Sequence, residues 1–411
     1  MHKLRETGLL DRTLSPFYLY YTVVFMAGVT LSTFLNIYFQ EELGFSLAQI
    51  GTIASLGPLV TIFTQPFWGI LSDRLNRRRV LMFIIAGAVV MSLLFPLHYT
   101  FIYIAVVAVF NTMFNNSITP MGDAITLQFL EGKKVRFNTI RMIGTISYGL
   151  MAAVVGHLIG DELVRIFYLQ AILLGVALFA VFWMPDLQKK ALAGAEAETA
   201  PVEKLPLSVS LRELFKNKMI LCILATTLVF GLTMTFYHAF LGIQMRYMGA
   251  NEVQVGQALF LSALSEIPVL IFVNRLLGKR KPVHVLMLVG IFMALRMFLM
   301  YISDVQGSVG ILYGAQLLHG LTFMVHFYFT VVMLNTHAPP QLKSTVQSLN
   351  GVIRAVAALI GGGVGGFLAQ RITIGQIYLY LAVIVFTLCF ALPGILAFIY
   401  REKVRRMASI L

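Results

Sequence analysis

Cysteine and charge are both scarce in this chain of 411 residues. The two cysteines, Cys222 and Cys389, lie inside apolar runs far apart in sequence, which excludes a disulfide framework and a thiol-rich metal site. Only 12% of the residues are charged and 58% are hydrophobic, against about 25% and roughly 45 to 50% in an ordinary soluble domain. That balance excludes a soluble enzyme. Twelve membrane spans of about 20 residues need about 240 positions, and 58% of 411 is about 238, so spans account for nearly all of the apolar content.

The net charge of +13 is the one feature that points to nucleic acid, and its placement argues otherwise. With alternate loops taken as cytoplasmic from the N-terminus onward, 25 Lys and Arg fall inside, 3 outside (Arg165, Arg246, Arg371) and 3 within spans. This is the positive-inside pattern of a membrane protein. No basic stretch is interleaved with exposed aromatics on a soluble domain, so no nucleic-acid partner is expected. The first apolar stretch begins near Phe17 and is long enough to span, so it reads as a retained helix rather than a cleaved signal.

Apolar stretches fall near residues 17–40, 46–70, 79–97, 99–130, 137–160 and 163–184, and again near 218–247, 252–275, 282–302, 307–335, 342–369 and 373–400. An even number of spans leaves both termini on the cytoplasmic side of the plasma (inner) membrane. The only long polar connection is 185–217. The expected organisation is therefore an all-α membrane protein of twelve transmembrane helices, with six-helix bundles at 1–184 and 218–411 joined by a central loop. The halves echo one another. Gln49-Ile50-Gly51 precedes a span ending in the basic run from Arg74 to Arg79, and Gln254-Val255-Gly256 precedes one ending in Arg275 to Lys281. Such duplicated bundles are common in transporters. The glycines at 361, 362, 363, 365 and 366 suit tight helix packing and equally a hinge.

Five formal charges sit inside spans: Asp123, Arg141, Glu266, Arg296 and Arg354. Each costs at least about 2.5 to 3.5 kcal/mol at a helix centre, so each needs a partner or a water-filled cavity. Counted from the inner surface, Asp123 and Arg141 lie about 12 and 7 Å deep, which permits an ion pair between spans four and five; a pair that only fixes helix register is the alternative reading. Glu266 lies near mid-depth, where a carboxyl group is able to carry a proton. Arg296, His319 and Arg354 fall at depths that could converge on it, and a structural salt bridge is again the alternative. His319 and His326 are seven apart, two turns along one helical face.

Gly69-Ile70-Leu71-Ser72-Asp73-Arg74-Leu75-Asn76-Arg77-Arg78-Arg79 resembles the loop between the second and third helices of the major facilitator superfamily. There Asp73 and Arg74 would form a conformational gate. Glycine is usual in the family where Asn76 stands, and asparagine tolerates a left-handed turn. Further motifs resemble the branch that contains lactose permease, phenylpropionate permeases and nucleoside symporters. They are Gln65-Pro66-Phe67-Trp68-Gly69, Gly122-Asp123-Ala124, Ile140-Arg141-Met142-Ile143-Gly144, Ser265-Glu266-Ile267-Pro268, and Leu318-His319-Gly320-Leu321-Thr322-Phe323 with His326.

The resemblance implies the major facilitator fold, with substrate bound by Asp123, Arg141, Tyr148 and Arg354, and proton coupling by Glu266, Arg296, His319 and His326. Two departures matter. Thr322 stands where the lactose permease has an acidic residue, so coupling would rest on Glu266 or Asp123. Tyr237 and His238 stand where that protein has an aspartate facing the Arg354 position, which leaves Arg354 available to an anionic substrate. Val269 replaces a sugar-contacting asparagine. The function implied is secondary active transport, proton-coupled symport of an aromatic carboxylate, sugar or nucleoside, in a monomer that needs no cofactor beyond the proton gradient and no metal. Proton-antiport efflux is the alternative, and a membrane receptor or intramembrane enzyme lies further off. No glycine loop followed by Lys-Ser/Thr is present to support ATP-driven transport.

Overall fold

The computed structural model describes residues 12–133, 135, 137–185, 214–277, 282–388 and 391. It is helical, with no strand among the described residues. The helices are α1 (Ser15–Glu41), α2 (Leu47–Arg74), α3 (Arg77–Leu94), α4 (Phe101–Leu130), α5 (Phe137–Ile159), α6 (Arg165–Trp183), α7 (Lys218–Tyr247), α8 (Glu252–Leu277) and α9 (Pro282–Gln306), then α10 (Val309–His337), α11 (Thr345–Ala369) and α12 (Ile374–Leu388). Ten of them are long and apolar enough to cross a membrane; α8 and the shorter α12 occupy the eighth and twelfth expected spans. Most of the connection expected over 185–217 lies outside the described residues.

Local sequence accounts for where several helices start. Ser46 and Gln49 form a reciprocal capping box at the head of α2: the Gln49 backbone N–H donates to Ser46 Oγ, and the Ser46 N–H donates to Gln49 Oε1 at 2.9 Å. Asn251 and Gln254 repeat it before α8, at 2.9 and 3.0 Å, and Thr373 and Gln376 before α12. Each box satisfies two N–H groups that a helix start leaves unpaired. The glutamines shared by the two sequence echoes are therefore capping residues. Asn76 corrects the expectation of a left-handed turn. Its backbone is extended (φ −65, ψ 114), and its side chain accepts from the N–H groups of Arg78 and Arg79 to cap α3. Asparagine suits this place as an N-cap.

The described residues fall into two compact units. One holds α1, α3 to α6 and most of α2, together with Asn251–Phe260 from the start of α8; the other holds α7, the rest of α8, α9 to α12 and Ile50–Ser55 of α2. In the first unit α1 packs on α5 and α6, and α3 on α4 and α6. Its core includes Tyr20, Ile84, Ile85, Ala177 and Val181, with Phe17 stacked on Phe129 at 4.5 Å. Arg78 donates to the carbonyls of Phe182 and Met184 at 2.6 and 2.8 Å, placing a cation on the otherwise unpaired C-terminus of α6. In the second unit α7 packs on α10 and α11, and α9 on α10. Large apolar side chains such as Phe63, Ile102, Ile172 and Trp183 point outward, a surface suited to lipid.

Two helices are interrupted by π-helical turns, Gly320–Met324 in α10 and Ile360–Val364 in α11. Gly361 lies in the second of these, against α7. A Cβ there would collide with the carbonyl of Leu232, so this glycine serves close packing. Gly361→Ala is expected to lower stability by about 1 to 3 kcal/mol. Gly351→Ala, in the same helix with open space around its Cβ position, is expected to be neutral or slightly stabilising. Thermal unfolding of the two purified variants checks the contrast.

Candidate functional site

In the first unit the ion pair expected between spans four and five is formed. Asp123 on α4 and Arg141 on α5 are in direct contact through Asp123 Oδ2 and Arg141 Nη1. The other carboxylate oxygen accepts from the Tyr21 hydroxyl of α1 at 2.6 Å. Gly122 leaves room for the neighbouring Tyr20, whose hydroxyl donates to the Ile118 carbonyl. The Arg141 guanidinium lies 5.8 Å from the Phe25 ring. The pair is not sealed: its side chains are 23% (Asp123) and 40% (Arg141) exposed. Spare guanidinium N–H groups and carboxylate lone pairs can therefore still meet a polar solute. Tyr148 lies half-buried on α5, two turns beyond Arg141. Arg74 ends α2 with an exposed side chain, and the side chain of Asp73 lies outside the described residues.

The second unit holds a drier cluster. Arg296 of α9 is completely buried. Its Nη2 donates to Gln316 Oε1 of α10 at 3.0 Å, and that oxygen also accepts from Tyr237 at 2.6 Å and Ser262 at 2.9 Å. The guanidinium sits over the Tyr237 ring, 4.2 Å from its centroid, a geometry that stabilises a desolvated cation. Beside this group, His319 Nε2 lies 3.3 Å from Glu266 Oε1, with side chains 6% and 17% exposed respectively. Arg296 acts electrostatically on both residues.

The π-helical turn of α10 begins directly after His319. It frees the Gly320 N–H to donate sideways to Ser265 Oγ, at 2.8 Å, which ties the histidine's helix to the residue preceding Glu266. Such turns recur at functional sites because they re-aim side chains within a helix. The arrangement can hold a carboxylate in either protonation state, with a histidine as its nearest polar neighbour.

Depth along the spans suggested that Arg354 could join this cluster, and the seven-residue spacing from His319 that His326 could; the structure gives both other neighbours. His326 stacks on Phe230 at 4.0 Å, and Arg354 lies over Phe327 at 5.3 Å. The π-helical turn between His319 and His326 breaks the seven-residue phase that would align them. Sequence reasoning missed three roles: Tyr21 as a partner of Asp123, Gln316 as the shared acceptor and Ser262 as its donor. Gln316 carried a weak signal as an amide inside a span. Gln316→Leu strands the donors of Arg296, Tyr237 and Ser262, each at about 1 to 3 kcal/mol or more for the charged one. A large loss of stability in detergent denaturation is the expected result.

Comparison with known proteins agrees with this architecture. The profile described as the MFS_1 like family matches residues 12–381. A maltose permease of Geobacillus stearothermophilus is 26% identical over 406 residues, covering 96% of this chain and 95% of that protein. The uncharacterized transporter YwbF of Bacillus subtilis (strain 168) is 24% identical over 376 residues, 89% of each chain. Among solved structures, the nucleoside transporter NupG superposes with a TM-score of 0.80 at 18% identity, covering 93% of this chain and 98% of that one. A POT family transporter in complex with a thioalcohol-conjugated peptide gives a TM-score of 0.73 at 10% identity, with 97% and 98% covered.

Proposed function

The chain belongs to the MFS_1 like family, and from that premise we propose that it imports a small organic solute together with protons. It is an integral membrane transporter of the major facilitator type. The observation that carries the coupling is the Glu266–His319 contact at 3.3 Å, a carboxyl group inside a span beside the buried Arg296. Glu266 takes a proton on one side of the membrane and releases it on the other, and its deprotonated charge is stabilised by the field of Arg296 and by a hydrogen bond from the His319 ring. Asp123, Arg141 and Tyr148 bind the solute. No cofactor is needed, because the proton gradient is the energy source. The protein works as a monomer in the plasma membrane with both termini cytoplasmic, and Asp73 and Arg74 act as a gate.

Three span arginines against two acids favour a carboxylate solute. The permease and the nucleoside transporter are named for maltose and nucleosides, and an exposed carboxylate–guanidinium pair also suits hydroxyl groups. The discriminating experiment records the external pH of lightly buffered cells expressing the protein as phenylpropionate, then disaccharides, then nucleosides are added, against an empty-vector control. Alkalinisation specific to one class, abolished by an uncoupler, is expected. Solute uptake with no pH change, unaffected by the uncoupler, would contradict proton symport.

A further inference from the structure

Arg296, Met300 and Asp304 stand four residues apart on α9 and so share one face of that helix. Side chains from three other helices join them into a continuous seam within the second unit. Met300 meets two amides: its Sδ accepts from Gln316 Nε2 of α10 at 3.5 Å, and its carbonyl accepts from Gln244 Nε2 of α7 at 3.0 Å. The same Gln244 nitrogen lies 3.4 Å from Asp304 Oδ1. Tyr378 of α12 lies alongside, within electrostatic reach of Arg296 at one end and Asp304 at the other, and its ring packs edge-on against Phe236 at 5.2 Å. Gly375 permits the close approach of α12, since a Cβ there would collide with the Asp304 carboxylate. The seam opens at the half-buried Asp304, near the end of α9 that lies far from the basic stretch Arg275 to Lys281. It closes at the Arg296 cluster, beside Glu266.

Arg296, Gln244 and Tyr378 are completely buried. Each nevertheless keeps one polar atom without a hydrogen-bond partner among the described residues: Arg296 Nε, Gln244 Oε1 and the Tyr378 hydroxyl. Native proteins seldom leave such atoms unpaired. What the three need differs. The Arg296 Nε–H only donates, Gln244 Oε1 only accepts, and a tyrosine hydroxyl does both. An anion would leave the Gln244 oxygen unmatched, and a cation is opposed by Arg296. Water meets all three needs, and buried waters characteristically bond to polar groups of this kind.

We propose that waters bound along this seam form the outer proton path to Glu266, entered at Asp304 and passing the Tyr378 hydroxyl. The path rests on the proton-symport reading and on its topology, which puts the Asp304 end of α9 outside. The Asp304 carboxylate takes a proton from outer water and releases it to the first bound water. The Tyr378 hydroxyl accepts a proton on its oxygen and gives up its own to the next water, and the Glu266 carboxylate receives the last. Arg296 repels a proton in the seam while Glu266 is neutral, and the charge of an ionised Glu266 offsets that repulsion. Delivery is therefore favoured only when Glu266 is ready to accept. The seam lies wholly in the second unit, whereas the Asp123–Arg141 pair belongs to the first, so solute and proton use different residues.

Hydroxyl-radical footprinting of the purified full chain by X-ray pulse detects water held against buried side chains. Tyr378 is expected to be labelled several-fold faster than Tyr20, which is equally buried but has its hydroxyl bonded to the Ile118 carbonyl. In proteoliposomes, Tyr378→Phe and Asp304→Asn are expected to slow proton-driven accumulation several-fold more than counterflow exchange at equal pH, for whichever of phenylpropionate, disaccharides and nucleosides is taken up. Exchange needs no proton delivery, and a merely structural role would slow both alike. Gln244→Leu and the footprinting of the unsubstituted chain carry the test if Tyr378→Phe does not fold. Labelling of Tyr378 no faster than Tyr20 would overturn the proposal. So would variants that slow accumulation and exchange equally or slow neither, which would make any bound water structural. A labelled Tyr378 in a chain whose transport ignores the proton gradient would leave the hydrated seam standing and count against the symport reading on which the path rests.

Discussion

Placing a full charge away from water costs more than any other local feature of this chain, and the second unit is organised around one such case. Arg296 is completely buried, and an unpaired ion in that position would be prohibitive. Its compensation comes from several helices at once. Gln316 supplies the acceptor, Tyr237 the ring face, and Ser262 and the Tyr237 hydroxyl complete the coordination of the same amide oxygen. Neutral dipoles hold the cation in place without neutralising it, so its field still reaches Glu266 and His319. A carboxyl group beside an uncancelled positive charge is suited to changing its protonation as its surroundings change, which is the basis of the coupling proposed for it.

The two units treat their span charges differently. Asp123 and Arg141 neutralise each other directly and keep part of their surface accessible, as a binding group open to solute must. Glu266 and His319 are more enclosed, as a proton site shielded from leakage should be. Arg354 follows neither pattern, since its side chain is exposed and its guanidinium lies over the Phe327 ring at 5.3 Å. Accessibility and the identity of the compensating group thus separate three kinds of intramembrane charge within one chain.

Much of this was legible in the sequence because the relevant signals are one-dimensional. Twelve spans follow from runs of apolar residues, and the echo of Gln49-Ile50-Gly51 in Gln254-Val255-Gly256 marks the starts of α2 and α8, though only the structure shows its glutamines to be caps. The Asp123–Arg141 and Glu266–His319 contacts follow from depth, which a helical rise of about 1.5 Å per residue converts directly from sequence position. Depth fixes height in the bilayer but not direction around the helix axis. For that reason Arg354 was expected near Glu266, whereas its guanidinium lies over Phe327, and His326, expected on one face with His319, stacks on Phe230 beyond the π-helical turn of α10. Gln316 and Tyr21 were hidden for another reason. An amide or a tyrosine in a span is ordinary, and only the neighbours reveal that one accepts three hydrogen bonds and the other orients a carboxylate. Asn76 fitted the loop pattern for a different physical reason, capping instead of a left-handed backbone.

The central claim is that Glu266 carries the coupled proton. Its most direct test is transport by Glu266→Gln in proteoliposomes, with accumulation against a gradient driven by an imposed proton gradient and counterflow exchange at equal pH both measured for the solute found by pH recording. Loss of gradient-driven accumulation with exchange preserved is the predicted result, because a permanently neutral side chain still permits the carrier to turn over. Accumulation equal to that of the unsubstituted protein would contradict the claim.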